Sequence, residues 1–242
     1  MNLAIDIGNT LIKCAVFKDD QIIQVLSFED FDAEQAKTLL KMFPDINSII
    51  LSSVIKHSDA LEKIFLNYNF ISLGHSTPLP LTNKYKSPET LGNDRLASAV
   101  AANYMFPFEN TLIIDAGTCI KYDFVNSDNE YMGGGISPGI KMRFKALNYY
   151  TDKLPLLESE KKVNLIGCNT NESIWSGVQL GAISEVKGVI SMYEEIANKL
   201  KVILTGGDSI FFDKELKNSI FVDPYLILKG LNIILNYNKG KK

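Results

Sequence analysis

Two short segments place an aspartate, a glycine and a threonine together at the end of an apolar run. Asp-Ile-Gly-Asn-Thr occupies 6–10, and Asp-Ala-Gly-Thr occupies 115–118. A carboxylate at the end of a strand can hold a magnesium ion or its water ligands. A glycine lets the backbone approach a phosphate closely, and a threonine hydroxyl and the turn amides can donate to phosphate oxygens. A single segment of this kind is also typical of an ordinary hairpin turn.

The two segments begin a weak internal repeat. Residues 3–28 and 112–137 each read as a strand, an Asp-x-Gly turn, a second strand, a polar turn and a third strand. Close to half of the chain separates Asp6 from Asp115. The repeat therefore predicts two similar domains, 1–108 and 109–242, whose turns face each other. Such a pair of turns suits phosphoryl transfer, which depends on positioning and charge neutralisation.

A third segment, Gly-Asn-Asp-Arg at 92–95, begins a strongly helical stretch. Gly92 permits a tight turn, Asn93 can cap the helix, and Asp94 lies in its first turn. Asp94 could accept a proton from a substrate hydroxyl, and Arg95 could hold a carboxylate or a phosphate. A helix start with an aspartate matched to the helix dipole would account for the same residues without any chemistry.

The elements that must position these segments alternate between strand and helix. This order predicts an α/β fold with a mixed sheet in each half. Residues 76–90 contain three prolines and predict an irregular surface loop. Apolar spacing predicts helices over 33–43, 58–69, 93–105, about 170–199 and 224–236, and strands at 48–54, 201–205 and around Phe221.

Composition excludes several classes of function. The 242 residues carry a net charge of −3 with no basic cluster larger than that at 239–242, so a non-specific DNA or RNA binder is not expected. No apolar run approaches the roughly 18 residues of a membrane span. Asp6 interrupts the only apolar stretch near the N-terminus, so a signal peptide is not expected either.

The numbers and spacing of cysteine and histidine residues argue against disulfides and against two common kinds of catalytic or metal site. Cys14, Cys119 and Cys168 are odd in number and form no C-x-x-C pattern, which predicts reduced thiols in a cytoplasmic protein. With only two histidines, His57 and His75, the chain has little material for a histidine-rich zinc site or a Ser-His-Asp triad.

Taken in order, these segments resemble the type III pantothenate kinases, over 4–232. The resemblance implies the fold of the actin, hexokinase and Hsp70 superfamily, with two ribonuclease H-like domains facing a central cleft. It also implies ATP-dependent phosphorylation of pantothenate to 4′-phosphopantothenate, the first step of coenzyme A synthesis. The matching segments are DIGNT with Lys13, SSV at 52–54, GNDR at 92–95, DAGT at 115–118, GGGISPG at 133–139, TNESIWSGVQLG at 170–181, TGGD at 205–208 and PYLILKGLN at 224–232.

The same resemblance implies roles for individual residues. Asp94 would be the general base, Asp6 would hold Mg²⁺, and Asp115 would hold a monovalent cation, K⁺ or NH₄⁺. A homodimer is implied as well. The residues that would bind ATP are Asp6, Ile7, Gly8, Asn9, Thr10, Leu11, Ile12, Lys13 and Thr118. Those that would bind pantothenate are Tyr85, Gly92, Asn93, Asp94, Arg95 and Thr170.

Two other functions fit the Asp-x-Gly turns. A kinase of the same superfamily could act on another small hydroxyl compound, such as a sugar, and would turn over that sugar instead of pantothenate. An actin-like or Hsp70-like assembly protein would form filaments that pellet with ATP. Such assembly proteins usually carry longer insertions and lack an aspartate base of the Gly-x-Asp-Arg type.

Overall fold

The computed structural model describes residues 1–55, 59–216 and 220–240. The strands in chain order are β1 (Asn2–Ile7), β2 (Ile12–Lys18), β3 (Gln21–Phe28), β4 (Ser48–Ser53), β5 (Asn69–Ser72), β6 (Thr82–Asn83), β7 (Thr111–Ala116), β8 (Cys119–Val125), β9 (Glu130–Pro138), β10 (Lys201–Thr205) and β11 (Ile220–Val222). The helices are α1 (Ala33–Met42), α2 (Asp59–Phe65), α3 (Asn93–Met105), α4 (Ile140–Tyr149), α5 (Thr170–Trp175), α6 (Gly181–Ile196), α7 (Ser209–Asp213) and α8 (Leu226–Asn238).

Most predicted elements are found with ends shifted by a few residues, and two predictions need correction. The segment 76–90 is not wholly irregular, because it contains β6 and a short 3₁₀ turn at Pro88–Thr90. The helix predicted at about 170–199 is divided by a π-helical stretch at Ser176–Leu180 and ends at Ile196. His57, to which the sequence analysis assigns no role, lies outside the described residues.

Contacts divide the chain into two units. The first comprises Met1–Pro107, Asp128–Met132 and the segment from Tyr225 onward, and the second comprises Phe108–Ser127 and Gly133–Pro224. The predicted domains had one boundary at 108, whereas α8 contacts β1 and α3 and so joins the first unit. Apolar periodicity predicts that α8 has a buried face but not which surface covers it.

The first unit is built on a mixed sheet in the order β3-β2-β1-β4-β5. Because side chains alternate along a strand, β1 faces two cores. Leu3 and Ile5 pack with residues of α1 and α2, while Ala4 packs with residues of α3 and α8. β1 is antiparallel to β2 and parallel to β4, so its carboxyl end lies beside that of β4.

The second sheet has six strands in the order β11-β10-β7-β8-β9-β6, and its first five repeat the arrangement of the first unit. β7 is antiparallel to β8 and parallel to β10, as β1 is to β2 and β4. Leu112 and Ile114 of β7 pack in one core with apolar residues of α4 and α6. The prediction of an α/β fold with two mixed sheets is confirmed. No helix in the described ranges is long and apolar enough to cross a membrane.

Helix α8 fixes α3 within the first unit. A Cβ atom on Gly230 would lie 1.8 Å from the carbonyl oxygen of Ala97, so only glycine allows the two helices to approach this closely. A buried polar network ties α8 to β1: Asn2 Nδ2 donates to Asn232 Oδ1 at 2.7 Å, and Lys239 Nζ donates to Asn2 Oδ1 at 2.7 Å. The start of α3, with its Asp-Arg pair, depends on this packing.

We expect Gly230→Ala to lower the free energy of unfolding by about 3 kcal/mol, because the added methyl group must push α8 away from α3. Gly188→Ala is the matched control, since a Cβ at that helical position meets no atom within 4 Å. The control should be neutral or stabilising by up to about 1 kcal/mol. Urea unfolding of both variants tests this, and equal stabilities would contradict it.

Candidate active site

The first Asp-x-Gly hairpin is closed by a tight turn. The Gly8 amide donates to the Leu11 carbonyl at 3.2 Å, and a Cβ on Gly8 would lie 2.9 Å from the same oxygen. Ile7 and Ile12 are buried partners at the mouth of the turn, which leaves the side chains of residues 9–11 exposed at its tip. The buried isoleucines at the base of the turn thus hold it in the core and leave the turn residues exposed to solvent.

Asp6 and Lys13 are direct partners across the first hairpin. Opposite residues in an antiparallel pair project to the same face, so both side chains lie at the carboxyl end of β1. The Ser52 hydroxyl of β4 donates to Asp6 Oδ1 at 3.1 Å and orients the half-buried carboxylate. A single oriented carboxylate fits magnesium, which is commonly held by one or two carboxylates together with substrate phosphates.

The second hairpin has the same register. Asp115 and Lys121 are direct partners, and Lys121 Nζ lies 2.6 Å from Asp115 Oδ2. The Gly117 amide donates to the Cys119 carbonyl at 3.0 Å and closes the turn. Thr118 is exposed at the tip, where its hydroxyl can donate to a ligand.

Two glycines outside the second hairpin hold its turn in place. A Cβ on Gly139 would lie 2.2 Å from the Gly117 carbonyl oxygen, and the Gly139 amide donates to the Thr118 carbonyl at 3.2 Å. Gly206 has a φ of +93°, and a Cβ there would lie 2.5 Å from Asp115 Oδ1. Larger residues at either position would displace the turn or the carboxylate.

Arg143 of α4 fastens the connection that leads to Gly139. Its Nε donates to the Pro138 carbonyl at 2.9 Å, its Nη2 donates to Ser137 Oγ at 2.8 Å, and it forms an ion pair with Glu185. The Tyr122 hydroxyl donates to Glu185 Oε1 at 2.8 Å. Desolvation opposes ionisation of Glu185, but the hydrogen bonds from Arg143, Ser137 and Tyr122 outweigh it and lower its pKa. Burial, followed by the contact with Glu185, raises the pKa of Tyr122.

The start of α3 brings the predicted base and its neighbours together. Gly92 is the N-cap residue, so the interpretation of Asn93 as the cap is wrong. The Asn93 side chain donates instead to the Leu73 carbonyl at 2.8 Å and anchors the helix to the end of β5. Asp94 Oδ1 accepts from the Arg95 amide at 2.9 Å. Because a Cβ on Gly92 would lie 2.5 Å from that oxygen, glycine makes room for the carboxylate.

Arg95 is 5% exposed, and its guanidinium lies over the ring of Tyr85 at 5.6 Å. Strand β6 positions Tyr85 through parallel pairing with Glu130 and Tyr131. The rings of Tyr85 and Tyr131 are 6.2 Å apart. This cation–π contact holds the guanidinium near the ring, and a guanidinium can recognise a carboxylate through two parallel hydrogen bonds.

A cavity opens beside these residues at the carboxyl ends of β4 and β5. Ligands bind in such crevices in many open α/β sheets. The residues of the Asp6 hairpin do not line this cavity, whereas Gly92 and Asn93, two of the residues predicted to bind pantothenate, do. Its lining includes Ser53, Gly74, His75, Pro88, Gly92 and Asn93.

Comparison with known proteins settles the family. The family model for type III pantothenate kinase matches residues 2–192. A type III pantothenate kinase from Phocaeicola vulgatus is 46% identical over 98% of this chain and 99% of that protein. One from Christiangramia forsetii is also 46% identical, over 99% of each chain. The chain belongs to the type III pantothenate kinase family.

A solved structure supports the fold of this family member. The activator of the 2-hydroxyisocaproyl-CoA dehydratase from Clostridium difficile with bound ADPNP has a TM-score of 0.54 at 17% identity. The match covers 98% of this chain and 93% of that one. A likeness at this identity concerns the fold alone, which is that of the actin-like ATPases, as the resemblance implied.

The remaining predicted contact, Thr170, lies in the second unit with Asp115 and Thr118. It is the exposed first residue of α5, and Asn169 caps this helix by accepting from the Glu172 amide at 3.0 Å. Thr170 lines a shallow cavity with Leu147, Leu154, Ser173, Ile174 and Gly177. The Trp175 indole donates to the Glu158 carbonyl at 2.8 Å, which holds the loop before α5 against the core.

Sequence reasoning missed two residues at these sites. His75 lines the cavity beside Gly92, and no pattern pointed to it beyond its place shortly after β5. Lys121 pairs with Asp115, and here a signal was available: each aspartate is followed by a lysine at nearly the same spacing. Within 1–55, 59–216 and 220–240, no group of three or more His, Cys, Asp or Glu could hold a metal.

We expect Glu185→Gln to remove a stabilising contribution that depends on pH. The folded-state pKa of Glu185 lies below its ordinary value of 4.5, so the carboxylate stabilises the fold above that value and loses this effect as the pH falls through the lower folded pKa. The variant should lose about 1.5–3 kcal/mol at pH 7. Urea unfolding from pH 7 to pH 3 should show this difference shrinking below pH 4.5, whereas a constant difference would contradict the assignment.

Proposed function

We propose that this member of the family transfers the γ-phosphoryl group of ATP to the primary hydroxyl of pantothenate, forming 4′-phosphopantothenate in the first step of coenzyme A synthesis. The start of α3 carries the proposal. There Gly92 makes room for the Asp94 carboxylate, and Arg95 stacks on Tyr85 at 5.6 Å. A proton acceptor and a carboxylate-binding guanidinium thus follow one another in the chain, which suits a substrate that has both a hydroxyl and a carboxylate.

In this proposal the first hairpin binds the phosphates of ATP. Asp6, Gly8 and Lys13 meet at the carboxyl end of β1, and the polar turn residues Asn9 and Thr10 are exposed beside them. Turn amides and hydroxyls donate to phosphate oxygens, and the Lys13 ammonium balances their charge. The resemblance assigns a role in ATP binding to Thr118 as well, which is exposed at the corresponding turn of the second unit.

Asp6 would hold Mg²⁺ through the carboxylate that Ser52 orients. Magnesium supplies charge neutralisation to the triphosphate when it is bound. The donor set fits an ion that takes most of its ligands from phosphate and water, because no larger acidic cluster occurs in the part of the chain that the structure describes.

Arg95 and Tyr85 orient pantothenate through its carboxylate, with Gly92 and Asn93 as further contacts. For Thr170, in the second unit, a contact with pantothenate rests on the resemblance alone. Asp94 accepts the proton of the primary hydroxyl as its oxygen bonds to the γ-phosphorus. The bond from that phosphorus to the bridging β–γ oxygen breaks, and ADP leaves. Because Gly92 has no side chain, the Asp94 carboxylate has room at the helix start, where the Arg95 amide donates to it.

The resemblance also implies K⁺ or NH₄⁺ at Asp115, and the residues there do not fit an additional cation. Lys121 Nζ already lies 2.6 Å from Asp115 Oδ2, and Oδ1 lies against the backbone of Gly206. A second positive charge beside the same carboxylate would be repelled by the ammonium. No step of the proposed reaction therefore uses such an ion.

A homodimer and a cytoplasmic location complete the proposal. Four large apolar side chains at the end of α4 and in the loop before α5 support a subunit contact, since burial of such side chains in an interface is favourable. They are 78% to 81% exposed: Tyr149, Tyr150, Leu165 and Ile166. Light scattering should therefore give twice the monomer mass.

The cytoplasmic location is supported by the three cysteines, which are free thiols, as expected in a reducing compartment.

A coupled assay of ADP release, with and without pantothenate, tests the proposed function. ADP should form only when pantothenate is present, and mass spectrometry should find 4′-phosphopantothenate as the product. Glucose serves as the matched acceptor for the sugar-kinase alternative. Turnover of glucose without turnover of pantothenate would overturn the proposal, as would ATP-dependent pelleting without phosphorylation of either compound.

We expect Asp94→Asn to lower kcat by about 10²- to 10⁴-fold, the usual contribution of a general base. The amide is nearly isosteric and still accepts from the Arg95 amide, so the melting temperature and the Kd for ATP should hardly change. Asp213→Asn, at an exposed aspartate that ends α7, is the matched control and should retain full activity. Wild-type turnover by Asp94→Asn at saturating substrate would assign the base elsewhere.

We expect Arg95→Lys to raise the KM for pantothenate by about 10-fold or more while the KM for ATP stays within about twofold. Lysine keeps the charge but loses both the planar fork and the stacking on Tyr85. Steady-state kinetics with each substrate varied in turn will distinguish binding of the pantothenate carboxylate from a role in the fold. A similar rise in both constants would instead indicate that Arg95 supports the fold.

A further inference from the structure

The ion pair between Asp115 and Lys121 is largely withdrawn from solvent. The side chains are 10% and 18% exposed, and Nζ lies 2.6 Å from Oδ2. At this distance the ammonium donates a charge-assisted hydrogen bond to the carboxylate. Salt screens such a pair much less than it screens charges on the surface.

Strand register makes this pair a fixed part of the hairpin. Asp115 pairs with Lys121 across β7 and β8, and the next pair, Ala116 with Ile120, is fully buried. A slip of one residue would turn these apolar side chains to the opposite face, so the register is strongly specified. The ammonium is therefore held beside the carboxylate by the core of the second unit.

The other contacts of Asp115 come from β10 and the glycine that follows it. Its Oδ1 atom lies against Gly206, where a Cβ would come within 2.5 Å. Thr205 is its buried neighbour on β10. Two further acidic residues belong to the same region: Asp123 is buried two residues beyond Lys121 on β8, and the Asp208 amide donates to the Ala116 carbonyl at 2.9 Å. The geometry thus supplies a built-in cation to the carboxylate beside the 117–118 turn.

We propose that Lys121 replaces the monovalent cation that the family resemblance implies at Asp115, and that the enzyme consequently needs neither K⁺ nor NH₄⁺. The inference rests on the proposed kinase function. A lysine ammonium presents N–H donors as a free ammonium ion does, and its tether keeps it permanently at the site. Lys121 acts through Asp115: it neutralises that carboxylate, which would otherwise repel a phosphate near the Thr118 turn. It is a positioning residue.

The first test measures turnover of the wild-type enzyme with Na⁺, K⁺ or NH₄⁺ as the only monovalent cation, at one ionic strength and saturating Mg²⁺. The three rates should agree within about twofold, because Lys121 supplies the positive charge in every buffer. Stimulation of the wild type by K⁺ or NH₄⁺ of about 10-fold over Na⁺ would overturn the proposal.

The second test converts the site to one that needs an added ion. Lys121→Met keeps the length of the side chain and removes the charge, so activity in Na⁺ should fall about 10- to 100-fold. NH₄⁺ or K⁺ should restore much of it. The matched control is Lys201→Met, which removes a lysine of β10 that lies 3.6 Å from Glu109 in the same unit. The control should respond equally to all three ions, and a Lys121→Met variant with wild-type activity in Na⁺ would contradict the proposal.

Melting temperature gives a readout that does not depend on the reaction. Lys121→Met should melt higher in NH₄⁺ or K⁺ than in Na⁺, whereas the wild type should melt equally in all three. If no pantothenate is phosphorylated in any buffer, the proposed function fails. The melting temperatures still test whether Lys121 takes the place of a bound monovalent cation. If Lys121→Met does not fold in any buffer, the comparison of salts on the wild type decides.

Discussion

In both hairpins an aspartate near the end of a buried strand lies directly opposite a lysine, because the two copies share one antiparallel register. Lys13 faces Asp6 across the first hairpin, and Lys121 faces Asp115 across the second. Each aspartate is also contacted from outside its hairpin: the Ser52 hydroxyl donates to Asp6, and Gly206 lies against Asp115. An oriented carboxylate with a lysine beside it is a suitable element of a phosphoryl-transfer site, because charge neutralisation is a large part of that catalysis.

The two copies of this hairpin have diverged in how the lysine is used. The first turn is longer, because four residues separate Ile7 from Ile12 and three separate Ala116 from Ile120. Lys13 is half-buried beside the exposed tip of its turn, which suits a group that meets phosphate. Lys121 Nζ lies 2.6 Å from Asp115 Oδ2, so its charge is already used in an ion pair within the fold. The same register thus places a half-buried lysine beside the first turn and an ion-paired lysine beside the second.

Much of this arrangement could be predicted from the sequence, because it depends on local signals. Apolar alternation and Asp-x-Gly turns fixed both hairpins, and the alanine-rich pattern after Gly92 fixed α3. Long-range packing could not be predicted. The close approach of Gly230 to Ala97 places α8 in the first unit, and β6 consists of only two residues whose partner, 130–131, is remote in sequence. The pairing of Lys121 with Asp115 required the register of the hairpin as well as its existence.

The central claim is that Asp94 accepts the proton of the pantothenate hydroxyl. A crystal structure of the protein with pantothenate, Mg²⁺ and a non-hydrolysable ATP analogue tests it most directly. The account predicts that an Asp94 carboxylate oxygen lies about 2.6–3.2 Å from the primary hydroxyl oxygen, on the side away from the γ-phosphate. The Arg95 guanidinium should contact the pantothenate carboxylate in the same complex. A hydroxyl hydrogen-bonded to another side chain, with Asp94 turned toward the helix, would contradict the account.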